Sequence, residues 1–410
     1  MNNEPDNTGP RAQFKEFNWV PIVYLYVVYF GIIFVGGVTN AHTNFIGASV
    51  LLVFLFIKYW RYLFSRKIDM LLFCITFSMI LPVIPMISYD SKTFLGTAQE
   101  LVKYYALGFV ILIGTSLPLT PINRCKKNWL LYVVVLSFLI VGWVWPGGRD
   151  IYQGRVKGFL PNPNGFSLTA MVLLFLVDDR RSRTLIRKIN NVIVIILIYI
   201  SRTSGAILGY ACGLAHRYLF LKNSKFSFVR FLTLMLGLTL TTIIFLWLPQ
   251  NTFKPIDVII RKLAIAQEHS SKVFSNRQIN YHEIIQKEKE NVTSGLWRFY
   301  HWHKIMGDYL NSSFDKILFG HGIGTTDILF KMKAHNDYLR LLFEIGLIGL
   351  FFNIVTWVLL YRRMDLKYRW IVIMVAFFCI TENNYDHFPA MSLLVFYMIG
   401  ANKDAIVQLQ

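Results

Sequence analysis

Residues 18–38 read NWVPIVYLYVVYFGIIFVGGV, an uncharged run that follows Arg11 and Lys15. A membrane-spanning α-helix needs about 20 consecutive apolar residues, and this run has that length. Comparable runs recur near 43–60, 68–88, 99–118, 129–146, 166–178, 189–201, 205–221, 231–249, 341–361, 370–382 and 388–400. They predict an all-α polytopic membrane protein of about 12 transmembrane helices. The members of the pair 189–201 and 205–221, and of the final pair, are short, so each pair is a candidate re-entrant or broken element. The runs are too long and too evenly apolar for the alternating strands of a barrel. With 55% of the chain hydrophobic and 16% aromatic, a soluble fold would lack the polar surface to cover itself.

Basic residues set the expected orientation. Of the 42 lysines and arginines, 23 fall in the N-terminal tail, the stretches 58–67, 124–127, 180–188, 217–230 and 362–369, and Lys403. These become the cytoplasmic segments under the positive-inside rule. The division is then a cytoplasmic tail over 1–17, a transmembrane bundle of about nine helices over 18–249, a large periplasmic loop over 250–340, C-terminal transmembrane helices over 341–400 and a cytoplasmic tail over 401–410. Residues 1–16 carry both charge signs and read as a tail rather than a cleaved signal peptide. The net charge of +19 is thereby topological and meets lipid headgroups, and no nucleic-acid partner is expected. The four cysteines, Cys74, Cys125, Cys212 and Cys379, all avoid the outer loop, which argues against a disulfide framework and a zinc site.

Polar chemistry gathers in that loop, which holds six of the nine histidines: His269, His282, His301, His303, His321 and His335. Its second half contains an aromatic stretch around Trp297-Arg298, a glycine turn at Phe319-Gly-His-Gly-Ile-Gly324, and His335-Asn336 just before the run at 341–361. His301, His303 and His321 read as surface or aromatic-cluster residues. Gly346 and Gly349 would let a neighbouring helix approach. Two further outer segments matter. One runs from Arg155 and Lys157 to a strong turn signal, Asn162-Pro-Asn164-Gly. In the other, Ser201-Arg202-Thr203, an arginine between apolar runs is costly unless it meets an anion or a partner.

Taken in order, these elements resemble the O-antigen ligase and polymerase superfamily of bacterial membrane glycosyltransferases. The resemblance covers most of the chain from about residue 150. Its most specific part is His335-Asn336, nine residues, then Gly346-x-x-Gly349. It implies a GT-C-like helical fold in the bacterial inner membrane with the active site facing the periplasm. The implied donor is an undecaprenyl-diphosphate-linked glycan, and no cofactor or metal is implied. Arg202 and Arg298 match the arginines assigned to the diphosphate, and His335 matches the candidate base. Arg155, Asn164, Asn336 and Arg340 are the candidate substrate-binding residues.

The chemistry fits those residue types independently. Guanidinium groups stabilise a departing pyrophosphate bidentately and lose no proton. Imidazole titrates near neutral pH and suits deprotonation of an acceptor hydroxyl. In-line attack would invert the anomeric centre. With no Asp-x-Asp on an outer segment, a metal-held diphosphate is the poorer reading. The acceptor is a glycan or lipid A-core, and a chain-length regulator is a further candidate partner beside the membrane lipids.

Polymerase is preferred to ligase. The turn Glu382-Asn-Asn-Tyr-Asp-His387 resembles polysaccharide polymerases, and Arg202 to Gly213 has the Arg-x10-Gly spacing described for them. Arg298 lacks that spacing, since residue 309 is Tyr. A transporter of the lipid-linked sugar is the alternative from another class, opposed by the long loop and the absence of an internal repeat.

Overall fold

The computed structural model describes residues 20–39, 49–50, 53–54, 56–57, 70–87, 91–116, 128–149, 155–177, 184–220, 228–229, 233, 293–330, 333–366 and 368–400. Among them the chain is all-helical, with one isolated bridge pairing Arg149 and Val156. The helices are α1 (Val20–Thr39), α2 (Met70–Ile80), α3 (Ser91–Ser116), α4 (Asn128–Val144), α5 (Pro163–Leu176), α6 (Thr184–Ser201) and α7 (Ser204–Leu219). After the undescribed stretch come α8 (Thr293–Leu310), α9 (Phe314–Phe319), α10 (Thr325–Phe330), α11 (Asp337–Arg363), α12 (Arg369–Thr381) and α13 (Phe388–Gly400). The expected run 231–249 apart from residue 233, the loop from 250 to 292, the two tails and most of 43–60 lie outside the described residues.

All of α5 is buried, and α4, α6 and α13 pack around it. A helix apolar on every side needs such company. The outer helices present the reverse pattern. Leu185, Ile189, Val192, Ile196 and Tyr199 are exposed on α6, as are Leu347, Phe351, Ile354 and Val358 on α11. These sets recur every three or four residues, so each forms one continuous apolar stripe facing outward, where hydrocarbon would be the solvent. Among the described residues α11 is the one helix long and apolar enough to cross a membrane, and shorter apolar helices of 10–17 residues accompany it.

Three helix starts near the polar residues differ from expectation. The Asn162-Pro-Asn signal is a helix N-terminus rather than a free turn: the Asn162 side chain accepts from the Gly165 N–H at 3.0 Å, with Pro163 in the first helical position. Helix α3 begins at Ser91, eight residues before the expected run, so Glu100 and Lys103 lie well inside the helix rather than at its start. Helix α11 begins at Asp337, capped by Asn336.

Gly346 and Gly349 also play a different part from the helix contact expected of them. At Gly346, φ is +71° and ψ is −178°, and α11 breaks there. That region of backbone space is essentially reserved for glycine. The break frees the carbonyls of Phe343 and Glu344, which accept from the His321 and Gly322 N–H groups at 2.9 and 2.8 Å. Thus the 319–324 turn is sewn into a gap in the helix by main-chain bonds. A Cβ on Gly346 would overlap the Leu318 carbonyl oxygen, while the space beside Gly349 is filled by Ile345 of the same helix. Gly346→Ala should therefore destabilise the protein by about 1–3 kcal/mol or more, read as a lower unfolding temperature and faster proteolysis in detergent.

Candidate functional site

Four helix ends and α8 meet on one side of the bundle. Helix α12 stops at Thr381, and Glu382 leaves it with extended backbone, φ −148° and ψ 164°. The chain then makes a 3-10 turn, Asn384–Asp386. Asp337, at the start of α11, fixes that turn by accepting from the backbone N–H groups of Asn384 at 2.6 Å and Tyr385 at 3.4 Å. Residues at the start of one helix thereby set the exit of another.

The Glu382 side chain, 3% exposed, is the hub. Its Oε1 accepts from Arg298 Nη2 at 2.7 Å. Its Oε2 pairs with His335 Nδ1 at 3.1 Å and also accepts from the Asn164 amide. Three of the residues singled out in the sequence, from α5, α8 and the loop before α11, thus meet on one carboxylate. Helix α8 is held over them by Trp302, one turn beyond Arg298, whose indole N–H donates to the Ala334 carbonyl at 2.6 Å. His335 keeps 32% of its side chain exposed, so it remains accessible while Glu382 does not.

Arg202 sits at the bend between α6 and α7, and its position is set from both sides. Ser201 Oγ lies 2.6 Å from Ser167 Oγ of α5. On the other side Gly205, Gly209 and Gly213 admit α12 against α7: added Cβ atoms would meet Thr381 and the backbone oxygens of Met374 and Trp370. Small residues at every fourth position allow such backbone approach. This contact gives the Arg202-to-Gly213 spacing a physical basis, because Gly213 anchors the helix that carries Arg202 to the helix that ends at Glu382. The Arg202 side chain itself is exposed, is not one of Glu382's partners, and has no ion pair among the described residues.

Arg202 and His335 share a further property. They are the two non-glycine residues with positive φ among the described residues, at +51° and +50°. Such conformations persist only where the surroundings impose them, and they cluster at functional positions.

The remaining candidates fall elsewhere. Asn336 spends its side-chain oxygen as the N-cap of α11, accepting from Leu339 N–H at 3.0 Å. Arg155 lies on a segment folded back through Lys157 and Gly158 N–H bonds to the Gly148 carbonyl. It is not one of Glu382's partners. Arg340, expected among the substrate ligands, is instead buried and committed to carboxylates. It reaches Asp386 at 2.5 Å, Glu100 at 3.0 Å and Glu344 at 3.2 Å. Lys333 joins this second cluster at 2.8 Å from Asp386. Burial alone would push the Asp386 carboxyl up, but Arg340, Lys333 and Lys103 hold it well below the usual carboxylate range. Burial pushes the neighbouring His387, packed against Gly165, down to about 4, so it is neutral at pH 7. His321 stacks on Phe343, with ring centroids 4.2 Å apart, and His301 packs edge-on to Phe330. No group of three or more His, Cys, Asp or Glu residues is arranged to hold a metal among the described residues.

Sequence reasoning named Glu382 only as part of a turn. The available signal was an acid directly after an apolar run, which membrane burial makes expensive without a partner.

Residues 189–354 match the model of a family described as O-antigen ligase, and no curated protein matches the chain. The matched region contains Arg202, Arg298, His335, Asn336, Arg340 and the Gly346-x-x-Gly349 pair, while Asn164 and Glu382 lie on either side of it. The resemblance to the O-antigen ligase and polymerase superfamily therefore stands on a family match as well as on motifs. That superfamily comprises membrane-embedded, glycosyltransferase-like enzymes of surface-polysaccharide assembly.

Proposed function

We propose that the chain is an inner-membrane glycosyltransferase that transfers a glycan from undecaprenyl diphosphate to a glycan acceptor on the periplasmic side, with inversion and without a metal. The observation that carries this reading is the meeting of Arg298 and His335 on the two oxygens of one buried carboxylate. It brings an anion-binding group and a proton acceptor within one side chain of each other.

In this reading Arg298 and Arg202 receive the diphosphate. Arg298 Nε is buried and has no hydrogen-bond partner among the described residues. Its Nη2 is engaged by Glu382 and the side chain is 18% exposed, and that exposed edge is the part that would meet a phosphate oxygen. Arg202, exposed at its bend, supplies a second guanidinium as charge develops on the leaving group. His335 Nε2 takes the proton of the acceptor hydroxyl as that oxygen attacks the anomeric carbon and the bond to the diphosphate breaks. Asn164, which donates to Glu382 from within the bundle, supports the carboxylate.

Because two arginines perform the charge stabilisation, transfer by the purified protein should persist in excess EDTA. Activity lost on chelation and restored by magnesium or manganese would overturn the metal-free mechanism. The acceptor is best read as another lipid-linked repeat unit, which makes the chain a polymerase. The description of the matched family favours transfer to lipid A-core as the second reading. Gel analysis of the surface glycan of a deletion strain separates them: core bearing one repeat unit marks a polymerase, and bare core with polymer retained on the carrier lipid marks a ligase.

A further inference from the structure

We propose that Glu382 is a positioning residue for transfer, fixing the tautomer and orientation of His335 while it aims Arg298. The proposal rests on the site reading given above, and the experiment below tells the failure of one from the failure of the other.

A carboxylate oxygen only accepts hydrogen bonds. The nitrogen of His335 that faces Glu382 Oε2 at 3.1 Å must then carry the ring proton. Nε2 is left with its lone pair, the form a general base needs. When Nε2 takes the acceptor's proton, the imidazolium forms beside a buried anion that offsets its charge. The other oxygen meanwhile holds Arg298 at 2.7 Å. One side chain with two oxygens thus sets the spacing between the proton acceptor and the guanidinium that meets the leaving group. Asn164 donates to Oε2 as well, so the carboxylate cannot rotate without losing partners on both of its oxygens.

Glu382 is suited to this part because its own backbone is fixed from both sides by other residues. Asp337, two residues after His335, holds the turn that follows Glu382. The α7 glycine contact holds the helix end that precedes it, through Thr381. His335, by contrast, stands at positive φ on a short linker, and its Nδ1 meets Glu382.

The simpler role for a buried acid is to neutralise Arg298, and the experiment separates the two. The full-length protein in lipid nanodiscs is assayed with carrier-lipid-linked repeat unit extracted from cells lacking this chain. Glu382→Gln keeps the shape and removes the charge. It should lower kcat about 10²- to 10³-fold, within the range for a mispositioned base, with the donor KM changed less than about threefold. Glu382→Asp, which keeps the charge on a shorter arm, should recover part of that rate. In the His335→Ala background Glu382→Gln should cost much less than in wild type, because the part of its effect carried by His335 is already gone and only the part through Arg298 remains. Nitrogen NMR of ring-labelled histidine, assigned by its loss in His335→Ala, should show the Nδ1–H tautomer in wild type and a shift towards Nε2–H in Glu382→Gln.

Losses that multiply in the double variant, or an unchanged tautomer in Glu382→Gln, would reduce Glu382 to a structural acid. The tautomer is read without turnover, so it tests the positioning role even in inactive protein. Full activity of His335→Ala would instead sink the site reading itself. If Glu382→Gln does not fold, Glu382→Asp carries the same comparison: a shorter arm should perturb His335 turnover and tautomer, and wild-type behaviour in both refutes the proposal.

Discussion

Replacing His335 by alanine should slow transfer by two to four orders of magnitude, about 3–5 kcal/mol of barrier, while donor binding persists. Two features separate these effects. His335 touches the hub through Nδ1 and keeps 32% of its side chain exposed, whereas in the proposed mechanism the positive charge that attracts a diphosphate belongs to Arg298 and Arg202. Single-turnover rates with prebound donor, beside equilibrium binding of the labelled lipid, measure the two quantities. His335→Gln adds a test of mechanism. A glutamine restoring most of the rate would show that hydrogen bonding suffices and would rule out obligatory base catalysis. Loss of donor binding in His335→Ala, with chemistry on bound substrate intact, would move the histidine to the substrate-holding group.

The second large effect is expected at Arg298. Arg298→Ala removes a donor to developing negative charge, about 10²- to 10³-fold in rate. It also strands Glu382, whose carboxylate is buried in the bundle. Breaking a buried ion pair from one side destabilises strongly, so this variant should lose thermal stability as well as activity. Arg298→Lys separates the two consequences. An ammonium can still neutralise Glu382 and restore folding, but it cannot present the planar fork to a diphosphate, so activity should stay at least about 10²-fold down. Arg202→Ala provides the contrast: with no ion pair among the described residues, it should leave stability near wild type and lose activity alone. Unfolding temperatures and transfer rates measured side by side check all three, and wild-type turnover by Arg298→Lys would refute the clamp.

The residues that announced themselves in the sequence did so because membrane chains have little room for polar side chains. Arg202, Arg298 and His335 were legible as cations and an imidazole beside apolar runs. Glu382 was not, because its partners lie 218, 84 and 47 residues away and only the fold brings them together. The carboxylate partners of Arg340 were hidden for the same reason. Its nearness to His335 suggested substrate contact, whereas Glu100 and Asp386 come from α3 and the last turn. The helical class followed directly from hydrophobic runs, but their ends did not. Capping by Asn162 and Asn336 moved two helix starts outward, turning apparent loop residues into first-turn residues. Gly346 shows a further limit: Gly-x-x-Gly in an apolar run suggests close packing, and only the dihedral angles reveal a break.

That break in α11 also acts as a ruler for depth. Below Gly346 the helix continues from Leu347 to Arg363, 17 residues that at 1.5 Å each extend about 25 Å, somewhat less than a typical hydrocarbon core of about 30 Å. The arginine pair Arg362 and Arg363 closes the lower end. If the apolar segment fills the oily layer, the roughly two and a half turns above Gly346, with His335, Arg340 and the glycine turn sewn to them, stand in the zone of lipid headgroups. A diphosphate on a carrier lipid occupies that same zone. The substrate's charged group would then reach the arginines by sideways diffusion in the plane of the membrane, with its hydrocarbon tail still dissolved, and neither partner would have to leave its own solvent.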